Sequence, residues 1–95
     1  MNIAATPGIR HEPELSHFIT EVSGHDAVLD YRLSGDTMTI VHTGVPGAIS
    51  GRGVAARLTE TALATARANG WKVRPDCAYA DAYIKRHPQH QDLLA

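Results

Sequence analysis

The sequence predicts an α/β chain with one mixed sheet: an antiparallel β-meander, then a strand–helix–strand crossover, then a C-terminal helix. Three observations predict it. HFITEV, AVLDYRL and TMTIVHT, between residues 17 and 43, alternate apolar and polar positions with a period of two, the pattern of half-buried strands. From Val54 the period lengthens, with Val54, Ala55, Leu58, Ala62 and Ala66 at three- and four-residue steps and Arg57, Glu60 and Arg67 on the other side, as in an amphipathic helix. A short WKV run and a second helical pattern then follow, which is the order of a crossover laid on a meander.

In chain order, Pro7, Gly8 and Pro13 interrupt the start before any period develops, which predicts a flexible arm over residues 1–15 and a single domain over residues 16–95. Ser23-Gly24 and Ser34-Gly35-Asp36 supply the turns between the three strands. Asn69-Gly70 ends the first helix with a left-handed cap, and Pro75 closes WKV. Asp76 is suited to cap a second helix carrying Tyr79, Tyr83 and Ile84, whose last turn is basic (Lys85, Arg86) and which stops before Pro88. PQHQDLL adds a final helical turn.

Composition excludes several classes of function. With 95 residues, 43% of them hydrophobic, the chain can build one modest core. Nine basic residues against ten acidic ones leave no field to hold nucleic acid by its phosphates. No basic start leads into an apolar run, and no apolar stretch is long enough to span a bilayer, so the reading is a cytoplasmic protein without a membrane partner. Cys77, the single cysteine, can form neither an internal disulfide nor a cysteine metal cage. An open sheet edge leaves the chain a monomer or a weak homodimer.

The chemistry concentrates in HTGVPGAISGRGVAARL, residues 42–58. If a strand ends near Val45 and the helix begins near Val54, the amides of Arg52, Gly53, Val54 and Ala55 are unpaired donors at a positive helix end, with Gly51 and Gly53 leaving room for a phosphate or pyrophosphate and Arg52 adding a charge-assisted bond. An ordinary tight turn is the plain alternative. A nucleoside triphosphate loop needs a lysine and a hydroxyl residue after its glycines, where Val54 and Ala55 stand. A dinucleotide fingerprint is closer, since Gly51, Gly53 and Ala56 satisfy its spacing and Asp76 falls near the ribose-binding acid, but it takes its glycines straight off a first parallel strand and ranks second.

GAISGRGVAARL resembles the acyl-coenzyme A loop of the GCN5-related N-acetyltransferases, and HTGVP, GRGVA, CAY, AYIKRHP and DLL together resemble a small single-domain branch of that superfamily over residues 28–94. Ala48 stands where the family pattern has Gln or Arg, and Ser50 where an arginine is common. The resemblance implies a minimal fold of that family and an acyl-CoA donor, acetyl-CoA or coenzyme A itself. It also implies a strand that splays from its neighbour so that Thr43 and Val45 pair with pantetheine, with Ser50, Gly51, Arg52, Gly53, Val54 and Ala55 meeting the pyrophosphate. Tyr83 takes the place of the family tyrosine that protonates the departing thiolate. Cys77, at the start of the second helix, is placed to meet the thioester as a helix-end thiolate. His42, read as sharing a strand face with Met38 and Ile40, is either a base for the incoming amine or a hydrogen-bonded structural histidine near the strand's end. The acceptor is a small-molecule or protein amine. His87 and His90, three apart around Pro88, lack a completing ligand set and are read as structural, with no metal. The elements that enclose an acceptor in larger relatives have no room here, so a non-catalytic acyl-CoA-binding module or interaction domain is the opposing class.

Overall fold

A computed structural model describes residues 8–95. Five strands form one sheet in the order β1-β2-β3-β4-β5: β1 Ile9–Glu12, β2 His17–Val22, β3 His25–Ser34, β4 Thr37–Gly44 and β5 Lys72–Pro75. The first four run antiparallel in sequence order, and β5 joins β4 in parallel after the crossover helix α1, Val54–Asn69. α2 spans Ala78–Arg86, and a 3-10 segment over Pro88–Leu93 completes the chain. Among the described residues β4–β5 is the one parallel strand pair, which does not make a dinucleotide-binding sheet.

Buried strand positions share one parity: Phe18, Thr20, Ala27, Leu29, Tyr31, Met38, Ile40 and Val73. They join Leu58, Ala62, Leu63 and Ala66 of α1 and Ala80, Tyr83 and Ile84 of α2 in one cluster, so both helices cover the same face. The opposite face carries Ile19, Val28, Asp30 and Thr39 and is not buried. Thr59, Thr61 and Thr65 are buried on α1, and each hydroxyl donates to the carbonyl four residues back, at 2.8, 2.9 and 2.9 Å, so none is left unpaired in the core. Gly70, at φ 73°, caps α1 as its sequence predicts, with Trp71 N–H reaching Ala66 O at 2.8 Å.

Two expectations are corrected. The loose arm fails from Ile9 onward, because IRHE pairs with β2 as an edge strand; Pro13 opens a 3-10 turn and Ser16 (φ 52°) closes it in the left-handed region. An edge strand needs one neighbour and shows no strong alternation, so the sequence signal was faint. His11 of this strand stacks on Phe18 at 4.3 Å and hydrogen-bonds the Tyr31 hydroxyl at 2.6 Å. The rest of the predicted arm, residues 1–7, lies outside the described residues. Asp76 does not cap α2: its carboxylate accepts from Arg74 Nε at 3.1 Å, and Cys77 stands at the cap position.

The C-terminal segment is clamped in place. Arg67 of α1 grips Asp92 through two bonds of 2.8 and 2.9 Å, Lys72 Nζ donates to Asp92 O, and Ala95 N–H donates to Val73 O at 3.0 Å, extending the sheet edge by one bridge. The hydrogen bond from Arg67 holds the Asp92 carboxyl at about 2, well below its ordinary value. Asp92→Asn is therefore expected to speed hydrogen exchange at the Ala95 amide while leaving exchange in α1 unchanged. Equal exchange in the two proteins would show that the clamp contributes nothing.

Candidate cofactor cleft

Strands β4 and β5 run together only over Thr37–Ile40 and Lys72–Pro75. Pro75 has no N–H to extend the ladder, and the last rung is Cys77 N–H donating to Ile40 O at 2.9 Å, after which the chain turns into α2. β4 continues to Gly44, so beyond Ile40 its β5 side has no strand partner among the described residues. At the apex of this gap Cys77 Sγ lies 3.7 Å from Thr43 Oγ1. Val45 follows β4 at the mouth, and a 3-10 turn over Gly47–Ile49 leads to the glycine loop, where Ser50 Oγ donates to Gly47 O at 2.9 Å.

Gly51 and Gly53 both adopt left-handed backbone, at φ 79° and 75°, a region side chains rarely enter. A Cβ on Gly51 would meet nothing within 4 Å, so the loop is open to space on that side. α1 starts at Val54 with no side-chain cap and no acidic residue in its first turn. Two guanidiniums are there instead: Arg52 Nη1 donates to Ser23 Oγ on the β2–β3 hairpin at 3.0 Å, while Arg57 Nη1 turns back to donate to Arg52 O at 3.0 Å. Neither meets a carboxylate among the described residues. Two cations at the positive end of a helix are unfavourable when the site is empty and favourable beside an anion.

The family profile of GCN5-related N-acetyl-transferases matches residues 17–93, which include the gap, the loop and both helices. The chain belongs to that family. It is 32% identical over 96 residues to protein NATD1 of Xenopus tropicalis, covering 98% of this chain and 88% of that one. With protein NATD1 of Homo sapiens it is 34% identical over 88 residues, covering 90% and 78%. The solution structure of a GCN5-like protein from Staphylococcus aureus superposes with a TM-score of 0.73 at 24% identity, over 92% of this chain and 86% of that one, and shows the same fold. This chain carries that fold in a minimal form, a mixed sheet with two helices on one face. No described helix is long and apolar enough to cross a membrane.

Within this N-acetyltransferase fold the expected residues divide into three groups. Thr43 and Cys77 meet at the apex of the gap, and the loop from Ser50 to Ala55 leads from the end of β4 into α1. Burial raises the proton affinity of the Cys77 thiol, but the amides of Ala80 and Tyr79 and the hydroxyl and amide of Thr43 outweigh it, so the thiol ionises below its ordinary range. Tyr83 belongs to a second group. It is buried, its hydroxyl donates to Glu60 of α1, and His87 stacks on its ring at 4.0 Å while its Nδ1 donates to Tyr83 O at 2.8 Å. His90 Nε2 also reaches Glu60, at 3.0 Å, while its Nδ1 is buried without a partner among the described residues. Burial and the Glu60 carboxylate both hold the proton on Tyr83 and raise its pKa.

His42 forms the third group and is a correction. Asp30 pairs with His42 while the next residue, Tyr31, pairs with Ile40, so Val41 is a β-bulge that turns His42 away from Met38 and Ile40 and onto the exposed face. Sequence reading also missed Arg57 and Glu60 as parts of sites. Arg57 lies one helical turn past Gly53, a spacing that carries the signal; Glu60 meets Tyr83 across 23 residues, and no local pattern shows it.

Proposed function

We propose that this chain transfers an acetyl group from acetyl-CoA to the amine of a small molecule or protein, in the cytoplasm, as a monomer or weak homodimer. The observation that carries the reading is the parting of β4 from β5 beyond Ile40, next to a left-handed glycine loop that opens α1 without a cap. Main-chain groups of Thr43 and Val45 have the place to pair with pantetheine. The amides of residues 51–55 suit the diphosphate, and Ser50 braces the turn that presents them. A thioester is already activated, so the protein's task is chiefly to orient it and accept the amine's proton. Cys77 sits at the apex, where a lowered thiol suits it to take the acyl group transiently. The acid role of Tyr83 has to draw on a hydroxyl proton already donated in a hydrogen bond to the Glu60 carboxylate.

That commitment of the Tyr83 hydroxyl supports a second reading, a module that binds acyl-CoA without turning it over. Acetyl-CoA at about one hundred times its dissociation constant is expected to stabilise the protein by about 2.7 kcal/mol, and NAD to do nothing. Stabilisation by NAD alone would overturn the cofactor assignment. Thiol release from acetyl-CoA with an amine present separates enzyme from module. Tyr83→Phe with undiminished release removes the acid role, and an acyl adduct that survives in Cys77→Ala removes the covalent one.

A further inference from the structure

A hollow of about 400 Å³ lies on the helix-covered side of the sheet, at the end of α1 away from the glycine loop. Its size falls among small-ligand sites, about 300–1,000 Å³. The 16 residues of α1, at about 1.5 Å each, put roughly 24 Å between it and the start of that helix, so it is no part of the cofactor cleft. His11, Tyr31 and Trp71 supply aromatic walls, Leu33, 44% exposed, stands at the rim, and Ser16 and Asn69 add polar groups. The walls are fixed in advance: one face of His11 stacks on Phe18 at 4.3 Å, and its Nε2 is hydrogen-bonded to the Tyr31 hydroxyl at 2.6 Å.

The field in this corner is negative. The Glu14 carboxylate is near enough to raise the proton affinity of both His11 and Tyr31, and it is in no ion pair among the described residues. α1 ends at Asn69, which brings the negative end of its dipole to the same place. Among the described residues no lysine or arginine lines the hollow. Arg67 and Lys72, which flank Asn69 to Trp71 in the chain, both reach Asp92 instead. Burial outweighs Glu14 at His11 and lowers its pKa, so the ring brings no opposing charge at neutral pH. Aromatic faces in a negative field favour a cation. No carboxylate lines the walls to accept N–H bonds, so a primary ammonium would be left short of partners, whereas a quaternary one has no N–H to satisfy.

We propose that this hollow binds a small quaternary ammonium alcohol, with the cation against the rings of His11, Tyr31 and Trp71 and the hydroxyl on Ser16 or Asn69. It is a second site, separate from acyl transfer, and no bond is made or broken there. Trp71 is the single tryptophan of the chain, so its emission reports on the hollow directly.

The test is a fluorescence titration of the whole chain with choline chloride at neutral pH, without coenzyme A, so that its outcome is independent of the cofactor reading. The comparisons are 3,3-dimethylbutan-1-ol, which has the same shape without the charge, sodium chloride at equal ionic strength, and phosphocholine, which separates a lipid headgroup from the free alcohol. Choline is expected to give a saturable change and to bind about tenfold or more tighter than 3,3-dimethylbutan-1-ol. Sodium chloride is expected to do nothing, and phosphocholine to bind more weakly than choline because its phosphate meets the charge of Glu14. Glu14→Gln is expected to weaken choline binding about threefold, and Leu33→Lys, at an exposed position, to abolish it. Glu21→Gln, at the far end of β2, is expected to change nothing. Equal binding of choline and 3,3-dimethylbutan-1-ol, a matching response to sodium chloride, or a response that survives both Glu14→Gln and Leu33→Lys unchanged overturns the proposal. Phosphocholine binding as tightly as choline overturns the free alcohol as the ligand.

Discussion

Arg57→Glu is expected to weaken acetyl-CoA binding about 100-fold while leaving the free protein as stable as before or slightly more so. The two effects have opposite signs because they come from one electrostatic conflict. α1 opens with no acid in its first turn and with Arg52 and Arg57 beside its exposed amides, so the helix dipole and both side chains repel one another in the free protein. An acid near this end is worth about 0.3–1 kcal/mol to the helix, which offsets the lost bond to Arg52 O. For the ligand the balance reverses: a charge-assisted bond of about 1.5–3 kcal/mol is replaced by repulsion, and 100-fold corresponds to about 2.7 kcal/mol. Thermal melts with and without acetyl-CoA check both signs. A lower melting temperature of the free protein with unchanged affinity would make Arg57 a brace for the loop and nothing more. Arg52 is the weaker test, since its guanidinium is drawn off to Ser23.

Glu60→Ala is expected to destabilise the fold by about 2–3 kcal/mol, a fall in melting temperature of about 10–20 °C for a domain of this size. The substitution strands two buried donors at once, the Tyr83 hydroxyl and His90 Nε2. The Glu60 side chain is 46% exposed, so water recovers part of the loss, and that keeps the figure from being larger. Adding Tyr83→Phe to Glu60→Ala is expected to cost little more, because the hydroxyl has already lost its acceptor; fully additive losses would mean the two residues do not act together. The network also sets a pH dependence. Partial burial works against ionising Glu60, but the bonds from Tyr83 and His90 prevail and hold its pKa below the ordinary 4.5. A carboxyl with a depressed folded pKa contributes stability that is present above its unfolded value and fades as pH falls through the folded one. Wild type is therefore expected to lose stability below about pH 4.5 more steeply than Glu60→Gln, and matching acid limbs in urea titrations would contradict it.

What the sequence disclosed follows from the range of each signal. Strand alternation in residues 17–43, the three-and-four spacing from Val54, and the Asn69-Gly70 cap are local, and each element stands where its pattern placed it. The loop glycines were legible because left-handed backbone demands them. The edge strand at Ile9 was hidden because its stability comes from β2 and from His11 packing on Phe18, neither of which is near it in the chain. His42 was assigned to the wrong face because alternation assumes an unbroken register, and an extra residue leaves no mark in composition. Glu60, Tyr83 and His90 meet through tertiary packing of three segments, so their partnership appears only when α1, α2 and the C-terminal turn are set side by side.

The single unpaired residue at Val41 also fixes how the end of β4 tolerates change in length. Because Tyr31 faces Ile40 and Asp30 faces His42, removing Val41 would leave a plain ladder with the imidazole still on the open side and the Thr43 hydroxyl still beside the Cys77 sulfur. What would go is the local bend and added twist that an extra residue gives the end of a strand. The strand end is thus expected to absorb this one deletion without exchanging its two sides.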